Sequence, residues 1–377
     1  MKSFLIAILA VFLVGCSSND SIDLEPAELI DIENPEKIIK LWSEDVGVGT
    51  GDHYTMQGLS SLGDTLFAAD AKGRVTALNL ESGKELWEVK LKLPVAGGTG
   101  AAGDLVFVGT TNGEVIALDS TTGETRWLAQ VGGEVLSAPQ GNGTSVVIQT
   151  LAGSIFGLNA ADGAQVWRYD NATPALTLRG TATPAIKDTT VYIGFSSGKI
   201  AALNVDEGSL LWEQRVALSQ GRSELERVID IDGSPLVTSD AIYSGSYQGR
   251  LVAINRASGK GMWSKKESSY SDLASGLGKV FLTTPDGIVK AYNADNGQLI
   301  WQNDKLIRRQ LNAPQSFGSY LAVADFAGFV HILNQADGRI VARRKVDGDG
   351  VRSPMLSKGD VLYVHGNSGD VEALKIR

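Results

Sequence analysis

Four small groups of residues in this 377-residue chain have types and spacings from which catalytic or metal chemistry is built elsewhere. Gly98-x-Gly100-x-x-Gly103 has the letters of a dinucleotide fingerprint, whose glycines let the backbone approach a pyrophosphate at a helix N-terminus. It stands ahead of an apolar strand, Leu105 to Val108, instead of following a strand and opening a helix, so the frame for that chemistry is missing. Gly194-x-Ser196-x-Gly198 spells a nucleophile elbow but falls on a turn between two strands, not on a strand-to-helix corner. His53, His331 and His365 are far apart and show neither zinc-ligand nor triad spacing, so each reads as a satisfied or solvated ring. Asp230-x-Asp232-Gly233 begins like a calcium loop, yet the further acidic positions and the closing Glu are absent. The sequence therefore offers no catalytic, cofactor-binding or metal residue, and no cofactor is expected.

The elements that would position any site are set by a repeat. Ala77-Leu78-Asn79…Gly83…Trp87 recurs with its Asn slot at Asp119, Asn159, Asn204, Asn255 and Asn293, each followed by Gly and Trp at the same offsets. Two degenerate copies follow, at Asn334, where Ala342 replaces the tryptophan, and at Lys375, where the chain runs out. Successive slots lie 40, 40, 45, 51, 38, 41 and 41 residues apart, the period of a propeller or another array. Five residues before each Leu slot stands another glycine, from Gly73 through Gly369, placed for a tight turn between strands of alternating polarity. In the fourth repeat strand A is expected around Thr183 to Ile186, strand B over Val191 to Phe195, strand C over Lys199 to Asn204 and strand D around Leu210 to Arg215. Connections this short exclude the crossover helices of a parallel sheet.

Counting strands gives the closure. The last repeat supplies strands A, B and C (Pro354 to Leu356, Val361 to Val364, Val371 to Leu374) but no D, while Trp42 marks an orphan strand D near the N-terminus. The expected fold is all-β: an eight-bladed β-propeller of four-stranded antiparallel blades, closed by pairing N- and C-terminal strands in the last blade. A tryptophan on each strand D reads as a wedge between neighbouring sheets.

Residues 1–15 join Lys2 to an apolar stretch from Phe4 to Val14, the form of an export signal too short to span a bilayer. A small residue before Cys16 resembles the bacterial lipobox, which implies cleavage in front of Cys16 and acylation of it. Ser17 after that cysteine, by analogy with lipoprotein sorting, implies the outer membrane. Cys16 is the one cysteine, so an exported domain would have no disulfide framework and rely on packing. Residues 16–38, polar and acidic with a short helix expected near Pro35 to Leu41, read as a tether, and residues 39–377 as the propeller. A formal net charge of −9 argues against nucleic acid as a partner.

Departures from the period locate function. From the strand-D slot to the next strand-A proline the chain takes twelve residues (127 to 139), seventeen (167 to 184), twenty-three (212 to 235), thirteen (301 to 314) and twelve (342 to 354). The two enlarged connections carry Leu176, Leu178 and Arg179 on one and Asp230 and Asp232 on the next. Strand A of a propeller is innermost, so both reach one face beside the axis. An Arg179–aspartate surface bridge is one reading; apolar anchors with a charged rim for a partner protein is the other, favoured because exposed leucines cost solubility.

The repeat resembles the tryptophan-docked repeats of pyrroloquinoline quinone dehydrogenases, which leaves a quinoprotein-like redox enzyme as one alternative and a generic ligand-binding surface propeller as another. Those enzymes seat their cofactor on an adjacent-cysteine disulfide and a calcium ion, and a chain whose one cysteine is Cys16 lacks that seat. The lipobox, the eight repeats, Leu176-x-Leu178-Arg179-Gly180 and Asp230-x-Asp232 together are similar to the BamB family, propeller lipoproteins of the outer-membrane β-barrel assembly machinery. That resemblance implies a non-enzymatic scaffold, lipid-anchored to the outer membrane and facing the periplasm. It implies that Leu176, Leu178, Arg179, Asp230 and Asp232 contact BamA, the central insertase subunit, and that unfolded outer-membrane proteins are its clients.

Overall fold

Eight four-stranded antiparallel sheets form the computed structural model, which describes residues 25–51, 55–172, 174, 176–177, 182–217 and 228–377. Seven blades are continuous in sequence, at residues 60–90, 95–130, 140–170, 185–215, 236–266, 274–303 and 315–345. The eighth joins Leu356–Lys358, Val361–His365 and Asp370–Ile376 to the N-terminal strand Ile38–Asp45. Ile38 pairs with Ile376 and Asp45 with Asp370, so the two ends of the chain close the ring as expected. In blade 4 strands C and D fall on Lys199–Asn204 and Leu210–Arg215, while A and B begin near their expected places, at Ala185–Lys187 and Thr190–Gly194.

The repeat signature is a packing code. The Asn-slot side chain caps the C–D hairpin: Asn79 Oδ1 accepts the backbone N–H of Ser82 at 2.9 Å, and Asp119 and Asn159 act likewise in the next blades. The glycine of that hairpin then receives the indole of the preceding blade. A Cβ placed on Gly123 would lie 2.7 Å from the ring of Trp87, and one on Gly83 would lie 2.6 Å from Trp42. Each indole N–H donates to the carbonyl that follows the Asn slot, as in Trp42 to Leu80 at 3.0 Å and Trp127 to Ala160 at 2.7 Å. Strand D is otherwise largely exposed in blades 1 to 6; in Glu85–Lys90 only Trp87 is buried. The core consequently lies between blades, where Phe67 and Trp87 of blade 1 pack with Val106, Val108, Ile116 and Leu118 of blade 2.

One junction lacks this wedge, because Ala342 stands where blade 7 would carry its tryptophan. Residues 25–37 cover the outer side of that blade. Ala27 N donates to Ile307 O at 3.0 Å and Glu36 N to Val341 O at 2.9 Å. Arg308, Arg309 and Arg343 donate to the carbonyls of Glu25, Ala27 and Ile30. Tyr320 hydrogen-bonds the Glu36 carboxylate, and Leu29 packs on the core shared by blades 6 and 7. The helix expected near Pro35 to Leu41 is a strand instead, because β-branched Ile38 and Ile39 meet an open ladder on Asp370–Ile376. Residues 25–37 likewise form a bonded strap and not a free tether. The export signal and Cys16 lie outside the described residues.

Candidate partner-docking face

In an antiparallel blade the D-to-A connections and the B–C turns emerge on the same side of the ring. Backbone bonds tie the two together: Tyr247 N, on the B–C turn of blade 5, donates to Asp230 O at 2.8 Å, and Leu151 N, on that of blade 3, to Glu134 O at 2.9 Å. The described residues of both enlarged connections, those between blades 3 and 4 and between blades 4 and 5, therefore contribute to one face.

Glycines in the turns of blade 4 let the second connection lie flat. Ile229 packs over Gly198, where a Cβ would come within 2.7 Å, and Ile231 over Gly194, where a Cβ would come within 2.5 Å. Ile229 and Ile231 are both buried, and Asp230 between them and Asp232 after them have different surroundings. Asp230 points inward and is 1% exposed, so it does not stand on a charged rim as the sequence suggested. Asp232 is half-buried and lines a cavity of about 700 Å³ on the ring axis. Burial, aided by the charge of Asp230, pushes the Asp232 carboxyl from 3.8 up to about 8. Leu176, on the other connection, is 45% exposed. Leu178 and Arg179 lie outside the described residues.

The remaining sequence candidates are structural. Gly98 sits in a bulge of the inner strand Val95–Ala102, where a Cβ would come within 2.1 Å of Gly58 O; the inner strands of blades 1 and 2 meet there. Ser196 occupies the B–C turn of blade 4, between Thr190–Gly194 and Lys199–Asn204. His53 is outside the described residues. His365 donates from Nδ1 to Gln57 O at 2.9 Å. His331 is fully buried, donates from Nε2 to Asp325 at 2.9 Å and accepts at Nδ1 from Arg343 Nε at 3.1 Å. Asp325 also accepts from Arg309 Nε at 2.6 Å, so this network anchors two of the three arginines that hold the strap, Arg309 and Arg343. Sequence reasoning missed the network and also Asp272, a second carboxylate on the axial cavity whose pKa burial raises. Its only sequence signal is a place in the connection before strand A of blade 6.

Comparison with known proteins bears on the whole ring. A family model described as "Outer membrane protein assembly factor BamB" matches residues 71–303 and 285–377. The assembly factor of that name from Pseudomonas aeruginosa is 51% identical over 369 residues, covering 98% of this chain and 97% of its own length. The crystal structure of BamB from Moraxella catarrhalis superposes with a TM-score of 0.82 at 31% identity, covering 90% of this chain and all of that one. Quinohemoprotein alcohol dehydrogenase from Comamonas testosteroni reaches a TM-score of 0.71 at 13% identity, over 90% of this chain and 76% of its own. At that identity the likeness is one of architecture, and architecture does not transfer activity. On matches that extend over nearly its full length, the chain belongs to the outer-membrane protein assembly factor BamB family.

Proposed function

We propose that the protein is a non-enzymatic scaffold of the outer-membrane protein assembly complex, and that the face bearing the two enlarged connections docks the central insertase subunit, BamA. Cys16 carries the lipid that fastens the ring to the outer membrane on its periplasmic side, and unfolded barrel proteins are the clients of the assembled complex. The observation that carries the docking reading is the pairing, on one face, of an exposed apolar anchor, Leu176, with a carboxylate at the axial mouth, Asp232. Leu176 and Leu178 supply buried contact, Arg179 and Asp232 set orientation, and Asp230 acts from beneath by shaping the charge of Asp232.

Co-purification of the complex from outer-membrane extracts tests this with Leu176→Glu, Leu178→Glu, Arg179→Ala and Asp232→Ala. The expected result is loss of the insertase with thermal melts unchanged; at an exposed position such as Leu176 a substitution shifts stability by no more than about 0.5 kcal/mol. Capture of the insertase at wild-type yield by all four variants would remove this face from the mechanism.

A further inference from the structure

The axial cavity is lined by residues of the blades and of the connections leading into them, from all around the ring. Its wall is unevenly charged: among the described lining residues Asp232, Asp272 and Asp349 stand against a single guanidinium, Arg352. Asp272 already accepts the backbone N–H of Ser234 at 2.7 Å. Asp232 differs, because among the described residues no hydrogen bond or ion pair reaches its carboxylate and its charged neighbour is another carboxylate, Asp230. Ser137, on the connection from blade 2 to blade 3, also belongs to the cavity wall. It is 4% exposed, and its hydroxyl is buried without a hydrogen-bond partner among the described residues. Tyr247 and Tyr270 add aromatic surface to the wall, suited to the apolar stem and charged head of a long cationic side chain.

We propose that the axial cavity is a receptor for one basic side chain, arginine or lysine, presented by a loop of the docking partner, with Asp232 as its counter-charge. This rests on the docking reading above and adds the chemistry of the group that enters. An unpaired carboxylate held in low dielectric is costly as an anion, so it keeps a proton until a cation arrives. Its pKa of about 8 fixes the direction of the pH dependence: a cation binds the ionised form, so affinity rises with pH and levels off above that value. Below it, each unit of acidity costs about tenfold. The charged and titratable groups around Asp232 are Asp230 on its own connection, Asp272 and Tyr270 on the next, Tyr247 on the adjoining turn, and Asp349 and Arg352 on the cavity wall.

Carboxyl carbon NMR on the folded protein tests it, with the Asp232 signal assigned by Asp232→Asn and with acetyl-arginine amide and its uncharged isostere acetyl-citrulline amide as probes. The arginine compound should lower the Asp232 titration midpoint by at least a pH unit and the citrulline compound should not. Asp232→Asn should weaken binding of the arginine compound by on the order of tenfold. An unmoved midpoint, or equal response to both compounds, overturns the proposal. An inert arginine probe beside loss of insertase capture in Leu176→Glu would sink the cavity receptor alone; an active probe beside intact capture in every loop variant would sink the docking reading.

Discussion

A glycine under an indole is the smallest unit from which this ring is built, and its energetics are local. Trp87 fills the space over Gly123 and its N–H reaches Ser120 O at 3.0 Å, so neither partner tolerates change. Trp87→Ala should cost about 3 to 5 kcal/mol as a large-to-small change. Gly123→Ala should cost about 1 to 3 kcal/mol, because the added methyl meets the ring and the residue sits at φ 75°. Denaturant melts of the double variant should show less than the sum, since one change removes what the other clashes with; strict additivity would separate the two residues. This unit was readable from spacing alone, because Asn, Gly and Trp recur at fixed offsets and each has one physical reason to do so. The Arg309–Asp325–His331–Arg343 network was not, since its members come from a connection and three different strands or turns and form no period.

The strap is the element that sequence composition misdescribed. Residues 25–37 are polar and acidic, which reads as a solvated linker, yet most of its bonds to blade 7 and to the connection before it use main-chain carbonyls that any sequence possesses. Its effect shows at Val341, which is 7% exposed, whereas the equivalent residue before the tryptophan in blade 1, Leu86, is 51% exposed. Coverage by the strap thus replaces part of the burial that Ala342 forgoes. Removal of residues 25–37 should accelerate amide exchange along Ile340–Lys345 by at least about tenfold, with Gln165–Asp170 of blade 3 unchanged. Equal protection with and without the strap would show that the junction stands by itself. The enlarged connections, by contrast, were legible as deviations from a period, although interval counting does not tell which aspartate faces the cavity. Both aspartates have the same place in the alternation with Ile229 and Ile231, and only the fold separates them, burying Asp230 and setting Asp232 on the cavity wall.

At the scale of the whole molecule, the closed ring leaves each sheet with its inner edge at the axis and its outer edge broken up by charged residues, as in Glu85–Lys90. Blade 8 is the exception in covalent terms, because Ile38–Asp45 is attached to the rest of its sheet by hydrogen bonds and side chains alone. Deletion of residues 25–45 should bare the ladder of Asp370–Ile376 and take Trp42 off Gly83, opening the ring at both of its neighbours. Sedimentation velocity should then report dimers or larger species where the intact protein is monodisperse; a monomeric truncation product with an unaltered melt would show that the seven-blade arc holds itself.

Placing the first and last strands in a single sheet also governs when the molecule can be finished. During synthesis and export Ile38–Asp45 comes early and must wait, with its ladder partner Asp370–Ile376 following only after all seven continuous blades. Each earlier blade can form its hairpins as it appears, but the seat for Trp42 on Leu80 and Gly83 is ready long before the strand that carries it has a partner on its other side. Completion is therefore a late, single event in the life of each chain. Until it occurs, a nascent copy presents two sticky sheet margins to whatever shares its compartment, which makes the interval before closure the moment of greatest need for a chaperone.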